Sequence, residues 1–372
     1  MRRQPLRIRV AENGAMEIVD PGIAELELLR EIDPGFAVAG LGEPAVRSAR
    51  LLSTRSMGCG IDRQAASKLA ESELWELHSR AMRALASGIP TKPSVHELLL
   101  LELKRMLAEK LAEPCRLCAR RCAAPRRAGI VGPCGLGMDA YVAEHFVHIG
   151  EERLLNPSLV FNLRGCALRC RFCQQHRLLK AQGSAAERMS ASLWNEIDPR
   201  GARSMSFVGG NPDESLPAIL RFLETIPHDL NLPIWWNNHA YSSPEALTLL
   251  DGVVDGYVPD YKYGRAECGR ALSGVIDYPV AAMQSVSMML AQGVPVVVRI
   301  LVLPNHVDCC HLPVLDTLAT LQRSNLIISV RAQYAPDWRI GPADGNLMRR
   351  PSLAEIQRVL GHARALGLKL SD

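Results

Sequence analysis

From Leu159 onward, short apolar and β-branched runs alternate with segments of helical periodicity about every 30 to 40 residues, the rhythm of βαβ units and of a parallel sheet. Six strands are predicted, near Leu159–Leu163, Ser204–Val208, Pro233–Asn237, Gly256–Tyr261, Val294–Leu303 and Leu326–Gln333. The chain before them reads differently. Leu6 to Val10 and Ala15 to Val19 flank Asn13-Gly14, a dipeptide that accepts the positive φ of a hairpin turn. Leu74, Leu77, Ala81, Met82 and Leu85 recur at helical spacing up to Gly88-Ile89-Pro90. Ser94 and Glu97 have the spacing of a capping box for a second helix, which Pro114 ends. An α/β fold follows, with a partial (βα)6 barrel and C-terminal helix over 151–372. It is preceded by an accessory region of hairpin plus helices over 1–94 and by a helix with a Cys-rich metal-binding segment over 95–150.

Parallel strands joined through helices bind ligands at their carboxyl ends, and the chemically distinctive residues fall there. Cys166, Cys170 and Cys173 follow the first strand, Gly209-Gly210-Asn211-Pro212 end the second, and Asn237-Asn238 end the third. Asp260 and Lys262 end the fourth, and Pro304-Asn305-His306 follow the fifth. Composition changes this picture little. Hydrophobic residues make up 48% and charged residues 22%, enough for a large core, and a net charge of +4 gives no case for a nucleic-acid partner. Cysteine is more informative: there are 11, and seven crowd between positions 115 and 173, which points to metal rather than to a disulfide framework. No apolar run is long enough to span a membrane, and MRRQPLRIRV lacks the pattern of a signal peptide. A reducing cytoplasm is therefore expected, where thiols persist as metal ligands.

In GCALRCRFC the cysteines are spaced C-x3-C-x2-C. Three thiolates on a four-iron cluster leave one iron open to a substrate or cofactor. A zinc site of three cysteines and His176 is the alternative. The motif, with Phe172 as its aromatic position, resembles the signature of the radical S-adenosylmethionine (SAM) superfamily. That resemblance implies a [4Fe-4S] cluster on Cys166, Cys170 and Cys173, SAM on the open iron, reductive cleavage to a 5′-deoxyadenosyl radical, and hydrogen abstraction by an enzyme of oxidoreductase or lyase type. It also implies an electron donor such as flavodoxin or ferredoxin. Gly209-Gly210 resembles the start of the family's GGE motif at the SAM amino group, with Asn211 in place of glutamate, and Asp260-Tyr261-Lys262 resembles a D-x-K motif near the methionyl end. Asn237-Asn238 stands where relatives carry an Asp-Thr pair beside a monovalent cation, and Arg299 is a candidate for the SAM carboxylate. HIGEERLLNPS, YSSPEALTLLDGVVDGYVPDYKYG, LVLPNH and QYAP resemble the branch similar to pyruvate formate-lyase activating enzymes, from about Leu98 to Leu368.

A second set, Cys115, Cys118, Cys122 and Cys134, has spacings x2, x3 and x11 and suits a structural zinc or an auxiliary iron–sulfur cluster. Arg116, Arg120, Arg121, Arg126 and Arg127 around it read as a solvated basic surface or an anion contact. Cys268, His306 and Tyr334, with Gln333 and Tyr263, lie near carboxyl ends of strands and are candidates to face a substrate, Cys268 also as a hydrogen donor. Cys59, Cys309 and Cys310 read as packing or surface residues, and His145 and His148 as structural. The substrate class left open is a small molecule or peptide, or a partner enzyme that receives a glycyl radical. The competing class is a non-catalytic metal or nucleic-acid binding module.

Overall fold

This computed structural model of the chain describes residues 8–10, 16–18, 49–88, 92–150, 152, 154–180, 187–199, 201–227, 230 and 232–371. Its strands in chain order are β1 (Ile8–Val10), β2 (Met16–Ile18), β3 (Gly58–Asp62), β4 (Glu97–Leu99), β5 (Tyr141–His148), β6 (Ser158–Leu163), β7 (Glu187–Arg188), β8 (Ser204–Gly209), β9 (Ile234–Asn238), β10 (Gly256–Pro259), β11 (Val296–Leu301) and β12 (Leu326–Arg331). The six expected strands are β6, β8, β9, β10, β11 and β12, which pair in that order, all parallel. Helices Leu216–Glu224, Pro244–Leu250, Ala266–Ser273 with Tyr278–Ala291, Leu312–Ala319 and Leu353–Ala365 follow the last five of them. Sequential pairing with a helix after every strand but β6, where the cysteine loop and the short turns His176–Leu179 and Ala191–Asn195 stand instead, is a partial (βα)6 plan. β5 adds to β6 antiparallel and carries β7 and, through Glu17↔His148, the antiparallel β1–β2 pair of the expected hairpin; its Asn13-Gly14 turn lies outside the described residues.

The two faces of the sheet differ, because successive side chains point to opposite sides. Val296, Val298 and Ile300 join the main core under the helices, while Val297 packs with Leu155, Trp235 and Val258 in a separate cluster on the inner face. Two residues beyond these apolar positions the inner face turns polar, at Asn237, Asp260, Arg299 and Ser329. Both faces are covered, so β6 and β10 are buried along their whole length.

The helix expected to start at the Ser94–Glu97 box starts later, at Leu100. Residues 97–99 instead pair with β3, and the Glu97 carboxylate accepts from Gly60 N at 2.7 Å as well as from Ser94 N at 3.3 Å. Glu102 takes over as the box residue and accepts from Leu99 N at 2.8 Å.

This helix carries Lys104 into the core beneath helix Pro244–Leu250. Lys104 is fully buried, with Nζ 2.9 Å from His78 Nε2 and donating to Asp251 O at 2.8 Å. Burial pulls the ammonium down to about 7, and burial with Lys104 alongside pulls His78 down to about 3. An unfolded lysine titrates at about 10.4, so above about pH 7 the unfolded chain keeps a proton that the native chain has released. Stability should therefore rise by about 1.4 kcal/mol per pH unit from this group between about pH 7 and 10. In urea unfolding across that window, Lys104→Met should remove this component of the slope; parallel slopes for the two proteins would refute it.

Candidate functional site

The loop after β6 places Cys166, Cys170 and Cys173 at the carboxyl edge of the sheet, the first two buried and the third half-buried. Phe172 anchors this loop, packing edge-on to Tyr263 at 6.5 Å and to Tyr334 at 6.1 Å. Both tyrosines are fully buried; their hydroxyls reach Ser273 Oγ at 2.5 Å and Leu347 O at 2.6 Å. They support the cysteine loop from behind, whereas the sequence suggested a position facing a substrate. Ser273 in turn donates to Cys170 Sγ at 2.9 Å. Burial pushes the Cys166 thiol well above its usual range, with Glu214, Cys170 and Cys173 adding to it, and pushes Cys173 up to about 12. Mutually repelling buried thiols are the donor set that a cationic iron cluster neutralises. His176, the residue a zinc site would need, is stacked on Trp338 at 5.8 Å, with Nδ1 3.2 Å from Cys173 O.

Lys262 Nζ donates to Asp260 Oδ2 at 2.7 Å. Burial works against its charge, but Asp260 and the Cys170 and Cys173 thiols hold the ammonium above the ordinary lysine range. The pair thus meets the cysteine loop from β10. Arg299, one strand along, is engaged elsewhere: with Arg331 it clamps Glu152, the Nε contact being 2.7 Å and the Arg331 contact 2.7 Å, while Ser329 Oγ donates at 3.0 Å. Against burial, the two guanidiniums hold Glu152 down to about 2. A SAM carboxylate would have to displace this buried glutamate to use Arg299. Gln333 lies at the exposed rim, its carbonyl accepting from Gln174 Nε2 at 3.3 Å.

Asn211 and Asn238 both lie in closed networks. Asn211 Nδ2 donates to Glu214 Oε2 at 2.6 Å, and its Oδ1 accepts from His239 N at 3.0 Å. Glu214 Oε1 accepts from Ala167 N, inside the cysteine loop, at 3.0 Å and lies 3.3 Å from His239 Nε2. Despite complete burial, the His239 and Asn211 contacts keep Glu214 below the ordinary carboxylate range. The charge that position 211 lacks is therefore present three residues on, and the neutral amide is its partner. Asn238 donates to Asp213 at 3.0 Å and to Ser242 at 3.0 Å, and its Oδ1 accepts from Ala240 N at 3.1 Å. Its amide oxygen thus lies inside this network, while Asn237 is on the opposite, inner face.

The second cysteine set abuts the first. Cys166 N donates to Cys134 O at 3.1 Å, and Ala119 N to Tyr241 O at 3.0 Å. Two thiols of the second set flank Gly132, where a Cβ would stand 3.1 Å from Cys122 Sγ and 3.6 Å from Cys134 Sγ. Burial raises Cys115, Cys118 and Cys134, the last to about 11, with Arg126 opposing at Cys115 and Cys134. Arg126 departs from the expected solvated surface, for it is buried and donates to Glu214 O at 2.7 Å and to Cys134 Sγ at 3.2 Å. Arg116 and Arg121 pair with Glu71 and Glu245. Beside the cysteine loop, Arg169, His176, Arg177, Lys180, Trp338 and Arg339 line a basic pocket of about 540 Å³.

Residues 157–262 match the model of the 4Fe-4S single cluster domain, and all three loop cysteines lie inside that span. The uncharacterized protein MJ0674 of Methanocaldococcus jannaschii is 30% identical over 316 residues, 80% of this chain and 89% of that protein. The chain belongs to that protein's family. Among solved structures it is similar to Streptococcus suis SuiB bound to S-adenosylmethionine, with a TM-score of 0.40 and 14% identity over 55% of this chain and 47% of SuiB. For SuiB bound to precursor peptide SuiA the TM-score is 0.43 and the identity 13%, over 87% of this chain and 64% of that one. The chain thus spans less than two thirds of SuiB's length in either comparison. The sequence passed over Glu214, Glu152, Asp213 and His239, the buried groups that hold the family member's loops together.

Proposed function

We propose that this chain is a radical SAM enzyme that abstracts a hydrogen atom from a small-molecule or peptide substrate. The observation that carries the reading is the C-x3-C-x2-C loop at the carboxyl edge of six parallel strands, with the Asp260–Lys262 pair meeting it from β10. Cys166, Cys170 and Cys173 would hold the [4Fe-4S] cluster, which when bound supplies the electron that cleaves SAM to a 5′-deoxyadenosyl radical. Lys262 offsets the negative charge of the cluster's thiolates, and Ser273 and Tyr263 fix the Cys170 side of the loop by hydrogen bonds. Phe172, Tyr263 and Tyr334 fill the space behind the loop and exclude water from it. Gly209 and Gly210 let the β8 end pass close to the loop, and Asn237 and Asp260 present polar groups to the inner face where a cofactor would lie. The basic pocket beside the loop suits an anionic reductant protein. Cys115, Cys118, Cys122 and Cys134 would hold a second metal centre next to the first.

Protein reconstituted anaerobically with iron and sulfide, reduced with dithionite and supplied with SAM should release 5′-deoxyadenosine. The variant Cys166→Ala/Cys170→Ala/Cys173→Ala should release none above the enzyme-free background. Equal release from both proteins, or none from either, rules the reading out.

A further inference from the structure

Cys268, His306 and Cys309 lie outside both cysteine sets. Among the described residues they form a group whose ligand atoms all lie within 4.8 Å of one another. Two segments that are distant in sequence build it. Cys268 is in the first turn of helix Ala266–Ser273, after β10, while His306 caps the π-helical turn Val307–His311 that carries Cys309, after β11. The segments touch through backbone, since a Cβ on Gly264 would meet Cys310 O at 2.7 Å. The widened turn gathers Cys310 N and His311 N onto the same His306 carbonyl, at 3.0 and 3.1 Å. Single π turns of this kind recur where a helix is reshaped around a site.

We propose that Cys268, Cys309 and His306 bind a zinc ion. The spacing fits that ion: tetrahedral Zn–S bonds of about 2.3 Å place two sulfurs about 3.8 Å apart. Cys268 Sγ and Cys309 Sγ stand 3.8 Å apart, nearly twice the ~2.05 Å of a disulfide. His306 Nδ1 lies 2.9 Å from Pro304 O, which can only accept. The proton is therefore on Nδ1, and Nε2 keeps the lone pair a metal needs, oriented by a backbone carbonyl as metal-bound histidines commonly are. Two thiolates and a neutral imidazole balance the charge of a divalent ion, and their soft donors select zinc over magnesium or calcium. All three residues are half-buried, so the fourth position faces outward and takes water or a donor group from another molecule, as open zinc sites do. The same helix that offers Cys268 ends in Ser273, the donor to Cys170, so an ion here would brace the support of the cysteine loop. In this state Cys268 carries no S–H and is not a hydrogen donor.

The test is metal content per chain of the full-length protein purified without added metal, for the native sequence and for Cys268→Ser/Cys309→Ser and His306→Ala. Each variant should hold one zinc fewer than the native protein with the same iron. Cobalt(II) added to apoprotein should give a thiolate-to-cobalt charge-transfer band that is lost in the Cys268→Ser/Cys309→Ser variant. If the double variant fails to fold, His306→Ala reads the same difference in zinc. Equal zinc in native and variant proteins overturns the proposal. So does a Cys268–Cys309 disulfide found by mass after alkylation of the anaerobically purified protein. Because iron is read separately, failure here is distinct from failure of the cluster assigned to Cys166, Cys170 and Cys173.

Discussion

Glu214→Ala is expected to unfold or strip the metal from this protein, with a loss of about 3–5 kcal/mol, the range for removing one partner of a buried charged network. The carboxylate accepts from Ala167 N in the first cysteine loop and from Asn211 in the turn after β8, and it faces His239 at the end of β9. Its own carbonyl accepts from Arg126, which reaches the second cysteine set at Cys134. Truncation would leave Ala167 N, the Asn211 amide and His239 buried without their carboxylate partner, each costing about 1–3 kcal/mol. Because the side chain holds the first cysteine loop through Ala167 N, while Arg126 keeps its bond to the main-chain carbonyl of residue 214, metal at the first site should fall before any at the second. Glu214→Gln keeps one acceptor oxygen for Ala167 N and should lose less. The checks are urea unfolding and metal analysis of the purified protein; native midpoint and native metal content in Glu214→Ala would refute the account.

That network also marks where the sequence stops being legible. The six parallel strands were readable because strands buried on both faces become nearly continuous apolar runs, as in Leu159–Leu163 and Gly256–Pro259. The cysteine motifs were readable because their cysteines are close in sequence and lie in loops. Glu214 offers no such signal. It lies in the polar string Asn211-Pro212-Asp213-Glu214-Ser215, which reads as an exposed turn. Its burial arises from Ala167 and His239, 47 and 25 residues away, and only the packed sheet brings these together.

The same limit explains the misplaced helix start, the engaged arginine and the scattered thiols. Ser94 and Glu97 fit a capping box locally, but pairing of β4 with β3 claims the backbone first, and a three-residue strand has too few positions to show a period of two. Arg299 stands alone on an apolar strand and invites a ligand; Glu152, the residue that claims it, is 147 positions earlier. Cys309 and Cys310 read as packing residues because Cys268 is 41 positions away from Cys309 in another βα unit. In each case the missing information is a long-range contact, which neither propensity nor spacing encodes.

Gly210→Ala separates two explanations for the glycine pair at the end of β8. A ligand-approach role, suggested by the resemblance to the GGE motif, would leave the cluster intact and weaken SAM binding alone. The packing gives a different order of events. A Cβ at position 210 would lie 2.1 Å from Gly165 O and 2.8 Å from Gly165 C, backbone atoms that cannot swing away as a side-chain tip can. Gly209 reinforces the constraint: its φ is 101°, and a Cβ added there would stand 2.5 Å from Leu163 N, so neither residue can relax for the other. The strand end is tied down as well, because Gly210 N donates to Leu163 O at 2.7 Å. Relief must come from Gly165, the residue before Cys166, and moving it shifts the first of the three cysteines proposed to hold the cluster. Gly210→Ala is therefore expected to lower iron per chain and to cost about 1–3 kcal/mol, as overpacking does. Gly361→Ala, in helix Leu353–Ala365 with no atom within 4 Å of its new Cβ, should stabilise by about 0.5–1 kcal/mol through helix propensity. Full iron content in Gly210→Ala with SAM binding alone impaired would return the pair to a ligand-approach role, and loss of iron in protein purified without SAM would place its first duty in seating Cys166.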